Sequence, residues 1–278
     1  MITYRATLDV ADELALYLSR LLGEERRRRG TPLGRRALST FKQAVLGLRW
    51  FRDRTAIPAL ARDNNISRAT GYRYIDEAIE VLAAQAPELH QALRNARNDG
   101  AVYVILDGKL FSCDRIGEKT TSVKGAEIDR WYSGKHREQG GNIQALTTPE
   151  GFPIWVSPVE PGSVHDITAA EHHVLGALYW AASQLDLPTL ADGGYQGASA
   201  GVHTVIKHSK TGQRRPLDVD NRTHNQLLRS LRALGERGFA LLTGRWRTLQ
   251  HITASPRKTG DIVQAALVLT HHEHNRLH

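Results

Sequence analysis

Cysteine and long apolar runs are both scarce in this 278-residue chain. The single cysteine, Cys113, cannot form a disulfide within the chain, and there is no Cys/His quartet typical of structural zinc. No apolar run approaches the roughly 20 residues that a membrane-spanning helix requires. The first residues carry acids and lack the basic and then apolar order of a secretory signal. We therefore expect a soluble protein that is neither secreted nor held in a membrane.

Positive charge, in contrast, is in excess. The chain has 37 Lys and Arg against 29 Asp and Glu, which gives a formal net charge of +8 and an isoelectric point of about 9.8. This balance favours an acidic partner, with nucleic acid as the first candidate. The first 100 residues carry 17 basic and 12 acidic residues and are more basic per residue than the remainder. The length and the 41% hydrophobic content are typical of a globular protein of about two domains.

The local sequence pattern changes near residue 100. Before it, apolar residues recur at helical spacing, as in ADELALYLSRLL (11–22). After it, short β-branched runs such as AVYVILDG (101–108) alternate with helical segments. This order predicts an all-α domain over 1–99, followed over 100–278 by an α+β or α/β domain with a mixed sheet flanked by helices.

One stretch of the first domain, IPALARDNNISRATGYRYIDEAI (57–79), predicts two helices joined by a tight turn. This is the layout of a helix-turn-helix, here expected over about 55–82, whose second helix enters the major groove of DNA. The side chains that could contact DNA from the start of that helix are Ser67, Arg68, Thr70, Arg73 and Tyr74. The alternative is an ordinary helical hairpin on a basic surface.

Three acidic residues stand in otherwise apolar surroundings. Asp107 in VILDGKL and Asp192 in LADGGYQG each follow an apolar strand, and Glu236 in LGERGFALL lies in a predicted helix. Magnesium prefers hard oxygen ligands and is typically held by a few carboxylates together with substrate phosphate. Two such ions about 4 Å apart can activate a water and stabilise the leaving oxygen of a phosphodiester. Taken singly, either aspartate could equally form a turn or cap a helix.

Two further motifs contain candidate site residues. In SGKHR, we interpret Lys135, His136 and Arg137 as phosphate contacts, with a solvated loop as the alternative. In GSVHD, His165 and Asp166 could bind metal or brace the metal ligands. The alternative for the second pair is a helix N-terminus with an acid in its first turn.

These motifs, in this order, resemble the DDE-superfamily transposases, specifically the IS5-like group with an N-terminal helix-turn-helix. The resemblance covers about residues 40–270. The blocks that carry it are LDGKLFSCDR, YSGKHREQGGNIQALTTPEGFPIWVSPVEPGSVHD, LADGGYQG, ERGFALLTGRWRTL and VQAALVL.

The resemblance implies an RNase H-like catalytic domain in which Asp107, Asp192 and Glu236 form a metal-binding triad for two Mg²⁺ ions, with Mn²⁺ as a possible substitute. It implies that the substrate is the terminal repeat of a mobile element. The reaction would be hydrolysis at the element end, followed by attack of the freed 3′-hydroxyl on target DNA. It further implies a homodimer or larger assembly on DNA, in the bacterial cytoplasm and associated with the nucleoid.

Two alternatives stay open at the level of sequence. One is a domesticated or decayed DNA-binding protein that does not cleave, against which the intact set of three carboxylates argues. The other is a metal-dependent DNA endonuclease that cuts without joining strands. The same carboxylates would serve cutting and joining, so the sequence does not separate these two activities.

Overall fold

The structure is a computed structural model that describes residues 7–122, 125–198, 200–207 and 217–276. Its contacts divide the described chain into two compact units. The first unit is formed by Met1–Ala86 with Leu242–Ile252 and Asp261–His278, and the second by Pro87–Leu241 with Thr253–Gly260. The units therefore do not follow chain order, and the division into domains 1–99 and 100–278 stays a prediction.

The helices of the described residues begin in the N-terminal third and recur between the strands. In chain order they are α1 (Asp12–Arg28), α2 (Thr40–Asp53), α3 (Ile57–Asp63), α4 (Arg68–Ala83), α5 (Leu89–Asn98), α6 (Asp166–His173), α7 (Leu175–Gln184), α8 (Val219–Arg232), α9 (Glu236–Arg245) and α10 (Thr259–Glu273). Within the described ranges, none of them is both long enough and apolar enough to cross a membrane.

Helices α3 and α4 meet at a close contact that depends on a glycine. A Cβ atom at Gly71 would lie 3.2 Å from the Ile57 side chain and 3.3 Å from Ala61. Glycine therefore allows the two helices to approach each other more closely than other residues would. The Ser67 side chain caps α4 by accepting a hydrogen bond from the backbone N–H of Thr70. The sequence prediction of a short helix and a longer helix joined by a turn is confirmed.

The strands of the described residues form one large sheet and one hairpin. They are β1 (Val104–Ser112), β2 (Lys119–Thr121), β3 (Glu127–Asp129), β4 (Tyr132–Ser133), β5 (Glu138–Thr147), β6 (Pro153–Val156), β7 (Glu160–Pro161), β8 (Thr189–Ala191) and β9 (Val202–His203). The large sheet has the order β4-β5-β1-β8-β9, with β6 and β7 also paired to β5, and β2 pairs with β3 separately.

Strand β1 is the centre of the large sheet. It pairs antiparallel with β5 on one side and parallel with β8 on the other, which makes the sheet mixed. Val104 and Leu106 belong to the buried core that α5, α6 and α7 cover. Ile105 points to the opposite face, since side chains alternate along a strand, and there it meets Gly235 just before α9. The predicted mixed sheet flanked by helices is confirmed, and its RNase H-like topology stays a prediction.

Candidate active site

Asp107 and Asp192 lie at the same level of the sheet. Strands β1 and β8 run parallel with Leu106 opposite Ala191; Asp107 is the next residue of β1, and Asp192 directly follows the end of β8. Beyond this point β8 ends, whereas β1 stays paired with β5 as far as Ser112. The expectation that Asp107 terminates its strand is therefore wrong, because the ladder to β5 continues past it. The expectation that the two acids meet at the end of β8 agrees with the register.

The pKa of Asp107 is raised from 3.8 to about 6. Burial is the largest cause, because it penalises the charged carboxylate, and nearby Asp192 and Glu236 raise the pKa further. The positive charge of Arg232 and a backbone hydrogen bond from Gly108 act in the opposite direction. Burial therefore contributes more to the raised pKa of Asp107 than repulsion between the carboxylates does.

Glu236 is separated from the two aspartates by an arginine. Arg232 ends α8, and its guanidinium nitrogens lie 3.9 Å from Asp107 Oδ1 and 3.9 Å from Glu236 Oε1. The Glu236 side chain is 71% exposed at the start of α9. Within the part of the chain that the structure describes, these three acids do not form a set with all ligand oxygens within 4.8 Å of one another. Arg232 thus bridges Asp107 and Glu236, while the strand register places Asp192 beside Asp107.

A chain of hydrogen bonds runs from the buried Tyr195 hydroxyl across β5 to Asp166. The Tyr195 hydroxyl donates to Gln144 Oε1 at 2.5 Å, and the Gln144 amide donates to Asn142 Oδ1 at 3.0 Å. The Asn142 amide in turn donates to Asp166 Oδ1 at 2.9 Å. Lys135 completes the chain with a 2.8 Å ion pair to Asp166 Oδ2. This polar chain, Tyr195–Gln144–Asn142–Asp166–Lys135, fixes the position of the Asp166 carboxylate.

Sequence reasoning missed Asn142, Gln144 and Tyr195 as members of the site. Asn142 and Gln144 are two residues apart on β5 and therefore share one face of the sheet, and both are buried. Two buried amides on the same face of an apolar strand are a signal that could have identified them, because buried polar groups need partners. Tyr195 belongs to the LADGGYQG block, in which the sequence pattern singles out only Asp192.

Gly108 makes room for this polar chain. A Cβ atom at position 108 would lie 2.7 Å from the Tyr195 hydroxyl, 2.9 Å from Gln144 Nε2 and 3.0 Å from Asp166 Oδ1. Separations under about 3 Å are too short for a carbon atom against these groups, so any larger residue would push them apart. The glycine that follows Asp107 thus permits the close approach of Asp166 to β1.

The pKa values of Tyr195 and Lys135 are both raised. Burial raises the pKa of Tyr195 well above its ordinary value, and the acids Asp166, Asp107 and Asp192 raise it further. The hydrogen bond to Asp166 is the main cause of the raised pKa of Lys135, to which Asp192 and Asp107 also contribute. Tyr195 therefore stays a hydrogen-bond donor and Lys135 stays charged at neutral pH.

We expect Tyr195→Phe to lower the free energy of unfolding by about 1–3 kcal/mol, because it leaves the buried Gln144 Oε1 without its donor. Urea denaturation measures the change. The matched control is Tyr72→Phe, which removes the hydroxyl of an exposed tyrosine and should change the free energy by less than about 0.5 kcal/mol. Equal effects of the two substitutions would contradict a structural role for the buried hydroxyl.

Several other predicted site residues line one cavity of about 550 Å³ next to Asp166. Lys135, His136 and His165 all border it, although the two motifs that supply them are nearly 30 residues apart in the sequence. His165 is exposed at the start of α6 and makes no side-chain capping bond, while Asp166 lies in the first turn of that helix. Arg137 is exposed with a left-handed backbone, φ 59°.

The predicted DNA-contact residues of α4 divide into surface and core positions. Ser67, Arg68 and Arg73 are exposed, and Arg73 donates a hydrogen bond to the half-buried Thr70. Tyr74, in contrast, is 2% exposed, and its hydroxyl accepts a hydrogen bond from the backbone N–H of Leu38. Tyr74 was predicted to face DNA; in this structure it packs inside the helical unit, because its position on α4 turns it away from the surface.

Two kinds of potential metal-ligand set occur in the described residues. Asp107, Asp192 and Glu236 offer only carboxylate oxygens, the donor type that suits Mg²⁺ and Mn²⁺. Glu160, His172 and His173 offer one carboxylate and two imidazoles within 4.8 Å of one another. The donor chemistry of the first set fits the ions expected from the sequence, and that of the second set does not.

The sequence model described as DDE superfamily endonuclease matches residues 106–271, more than half of the chain. The chain belongs to this family. The family indicates a metal-dependent nuclease. The matched segment includes Asp107, Asp192 and Glu236, and helices α1 to α5 lie outside it. No curated protein and no solved structure shows significant similarity to this DDE endonuclease.

Proposed function

We propose that this DDE endonuclease is the transposase of an insertion element. In this proposal it binds the terminal repeats of the element, hydrolyses phosphodiester bonds there and transfers the freed 3′-hydroxyl ends to target DNA. The observation that carries the proposal is the placement of Asp107, on β1, at the level of Asp192, which directly follows the parallel strand β8 of the mixed sheet. The ordered sequence motifs and the family match support it.

Asp107, Asp192 and Glu236 are the proposed metal ligands in an RNase H-like domain. Two bound Mg²⁺ ions, or Mn²⁺ in their place, would activate the attacking oxygen and stabilise the leaving oxygen. Arg232 neutralises part of the charge of Asp107 and Glu236 in the metal-free protein. Displacement of its guanidinium would free both carboxylates for metal, and the exposure of Glu236 leaves that side chain free to move.

The cavity beside Asp166 offers a place for the DNA backbone. Lys135 carries a positive charge at its edge, and His136 and Arg137 are exposed next to it. Lysine and arginine side chains recognise phosphate without reading base sequence. We assign these three residues to phosphate contact and His165 and Asp166 to support of the carboxylate site, where Asp166 is held by Asn142.

Helices α3 and α4 are the proposed helix-turn-helix. Arg68 and Arg73 lie exposed near the N-terminal end of α4, the part of a recognition helix that contacts DNA. We assign Ser67 and Thr70 to hydrogen bonds with phosphate, whereas the buried Tyr74 supports the helix from inside. Because an element has two ends and one carboxylate set serves one end, we also propose a homodimer or larger assembly on DNA.

Arg68→Ala and Arg73→Ala should each weaken binding of the full-length protein to duplex DNA from the element end. The logarithm of the binding constant falls linearly with the logarithm of the salt concentration. Each lost phosphate contact should make this slope less steep by about 1, because fewer counterions are released on binding. Fluorescence anisotropy at several salt concentrations measures both quantities. Arg222→Ala removes an exposed arginine from α8 as a control. A salt slope that these α4 substitutions leave unchanged would argue against DNA binding by this helix.

The decisive experiment for the proposed function incubates the protein with DNA that contains the flanking genomic ends, Mg²⁺ and a target plasmid. Cleaved and joined products are read on one gel. Both products together support a transposase. Cleavage without joining would replace the proposal with an endonuclease, and binding without cleavage would replace it with a DNA-binding protein.

A further inference from the structure

A group of side chains of metal-ligand type lies at the opposite end of α6 from Asp166. Glu160 is on β7, and His172 and His173 are the last two residues of α6. Glu160 Oε1 lies 3.2 Å from His172 Nδ1 and 2.8 Å from His173 Nε2. One carboxylate oxygen therefore faces two imidazole nitrogens, and the proposed reaction at Asp107 and Asp192 makes no use of this arrangement.

These spacings approach those of a tetrahedral zinc site. With Zn²⁺ bonds of about 2.0–2.1 Å, two ligand atoms of a tetrahedron are about 3.3 Å apart. The 3.2 Å separation of Glu160 Oε1 from His172 Nδ1 matches this edge length, whereas the 2.8 Å separation from His173 Nε2 is a hydrogen bond that would have to lengthen when an ion binds. Glu160 and His173 are mostly buried, with side chains 18% and 21% exposed, whereas His172 is 55% exposed. An ion could therefore enter from the side of His172.

The donor atoms select the kind of ion. Two imidazole nitrogens and one carboxylate oxygen form a common protein ligand set for Zn²⁺. Magnesium strongly prefers oxygen ligands in octahedral geometry and is poorly served by imidazole. The set thus differs in chemistry from the all-carboxylate set of Asp107, Asp192 and Glu236, and the two sets should bind different ions.

We propose that Glu160, His172 and His173 bind one Zn²⁺ ion that fastens the end of α6 to the sheet. Glu160 stands opposite Asn142 in the register of β7 with β5. Asn142 donates its hydrogen bond to Asp166, the first residue of α6. The ion and the Asn142 amide therefore hold the two ends of the same helix against the same pair of strands, and zinc stabilises the helix that carries Asp166.

The test uses tag-free, full-length protein that has been stripped with a chelator and is then titrated with Zn²⁺ alone. Competition with a chromophoric chelator gives the affinity, and native mass spectrometry gives the stoichiometry. We expect one tight Zn²⁺ per chain in the wild type and an affinity about 100-fold weaker in His172→Ala, since each ligand carries a large share of zinc affinity. His172 is more than half exposed, so its removal should leave the fold intact.

Two control variants and a measurement of stability complete the design. Asp107→Asn tests the carboxylate pair and His274→Ala tests the histidine-rich C-terminal end; both should bind zinc as the wild type does. Zinc should raise the melting temperature and slow amide exchange along α6 in every protein except His172→Ala and Glu160→Gln. The proposal would be overturned by unchanged zinc affinity in His172→Ala and Glu160→Gln. Loss of the tight ion in His274→Ala or Asp107→Asn would also overturn it.

Discussion

Asp107→Asn and Asp192→Asn should each reduce metal-dependent DNA cleavage by at least about 1,000-fold while leaving DNA affinity nearly unchanged. Each substitution keeps the size of the side chain but removes the ligand charge that would hold a divalent cation. Asp107 lies within β1 and Asp192 directly follows β8 at the same level of the sheet, so neither can take over the position of the other. The measurement is the single-turnover cleavage rate on an element-end substrate with Mg²⁺.

Glu236→Gln should show the same loss if its exposed carboxylate joins the pair once Arg232 moves aside. Two matched controls remove one negative charge outside the site. They are Asp220→Asn at the start of α8 and Glu171→Gln on the exposed side of α6. Both controls should cleave at the wild-type rate. Cleavage by Asp192→Asn at a rate near that of the wild type would remove the basis of the proposed reaction.

The second large effect is on stability: metal-free Asp107→Asn should be more stable than the wild type at neutral pH, by about 3 kcal/mol. The pKa of Asp107 is about 6 in the folded protein against an ordinary value of 3.8. A tenfold change in an acid's ionisation constant corresponds to about 1.4 kcal/mol. Ionisation of this buried carboxyl therefore opposes folding, and an amide of the same shape avoids that cost.

The pH dependence of this difference has a definite direction. Below the ordinary pKa of 3.8 the carboxyl is protonated in both the folded and the unfolded chain, so it contributes no difference. As the pH rises from 3.8 to about 6 the penalty grows, and above about 6 it is complete. The gap in melting temperature between variant and wild type should thus open over this window, and added Mg²⁺ should narrow it.

Thermal unfolding at a series of pH values in a chelator measures this gap, with Asp220→Asn as the exposed control. The control should follow the wild type at every pH. A gap of the same size at about pH 4 and at neutral pH would show that packing rather than ionisation causes it.

The sequence indicated the sheet and the positions of the acids because local pattern determines both. The β-branched run before Asp107 and the apolar approach to Asp192 predict strands, and the turn residues around Glu150 predict a hairpin that the structure contains between β5 and β6. In contrast, the segment from His165 to Leu185 reads as one helix, but the structure breaks it at Val174 into α6 and α7.

The parts of the site that sequence reasoning missed depend on contacts between distant segments. Arg232 approaches Asp107 only because α8 ends near β1, and no local pattern encodes that meeting. The pairing of Glu160 with His172 and His173 likewise requires β7 to lie beside the end of α6. Tyr74 was misplaced for a related reason: helical spacing indicates which residues share a face but not which face the neighbouring helices cover.

The crowding around Gly108 links the evolution of residues that are far apart in the chain. Its missing side chain leaves the space that the Tyr195 hydroxyl, the Gln144 amide and the Asp166 carboxylate occupy. A relative with alanine or serine at position 108 would therefore have to carry smaller partners, such as phenylalanine in place of Tyr195. Position 108 and its three neighbours should then change together among relatives, and strict retention of glycine there would reflect packing rather than chemistry at that residue.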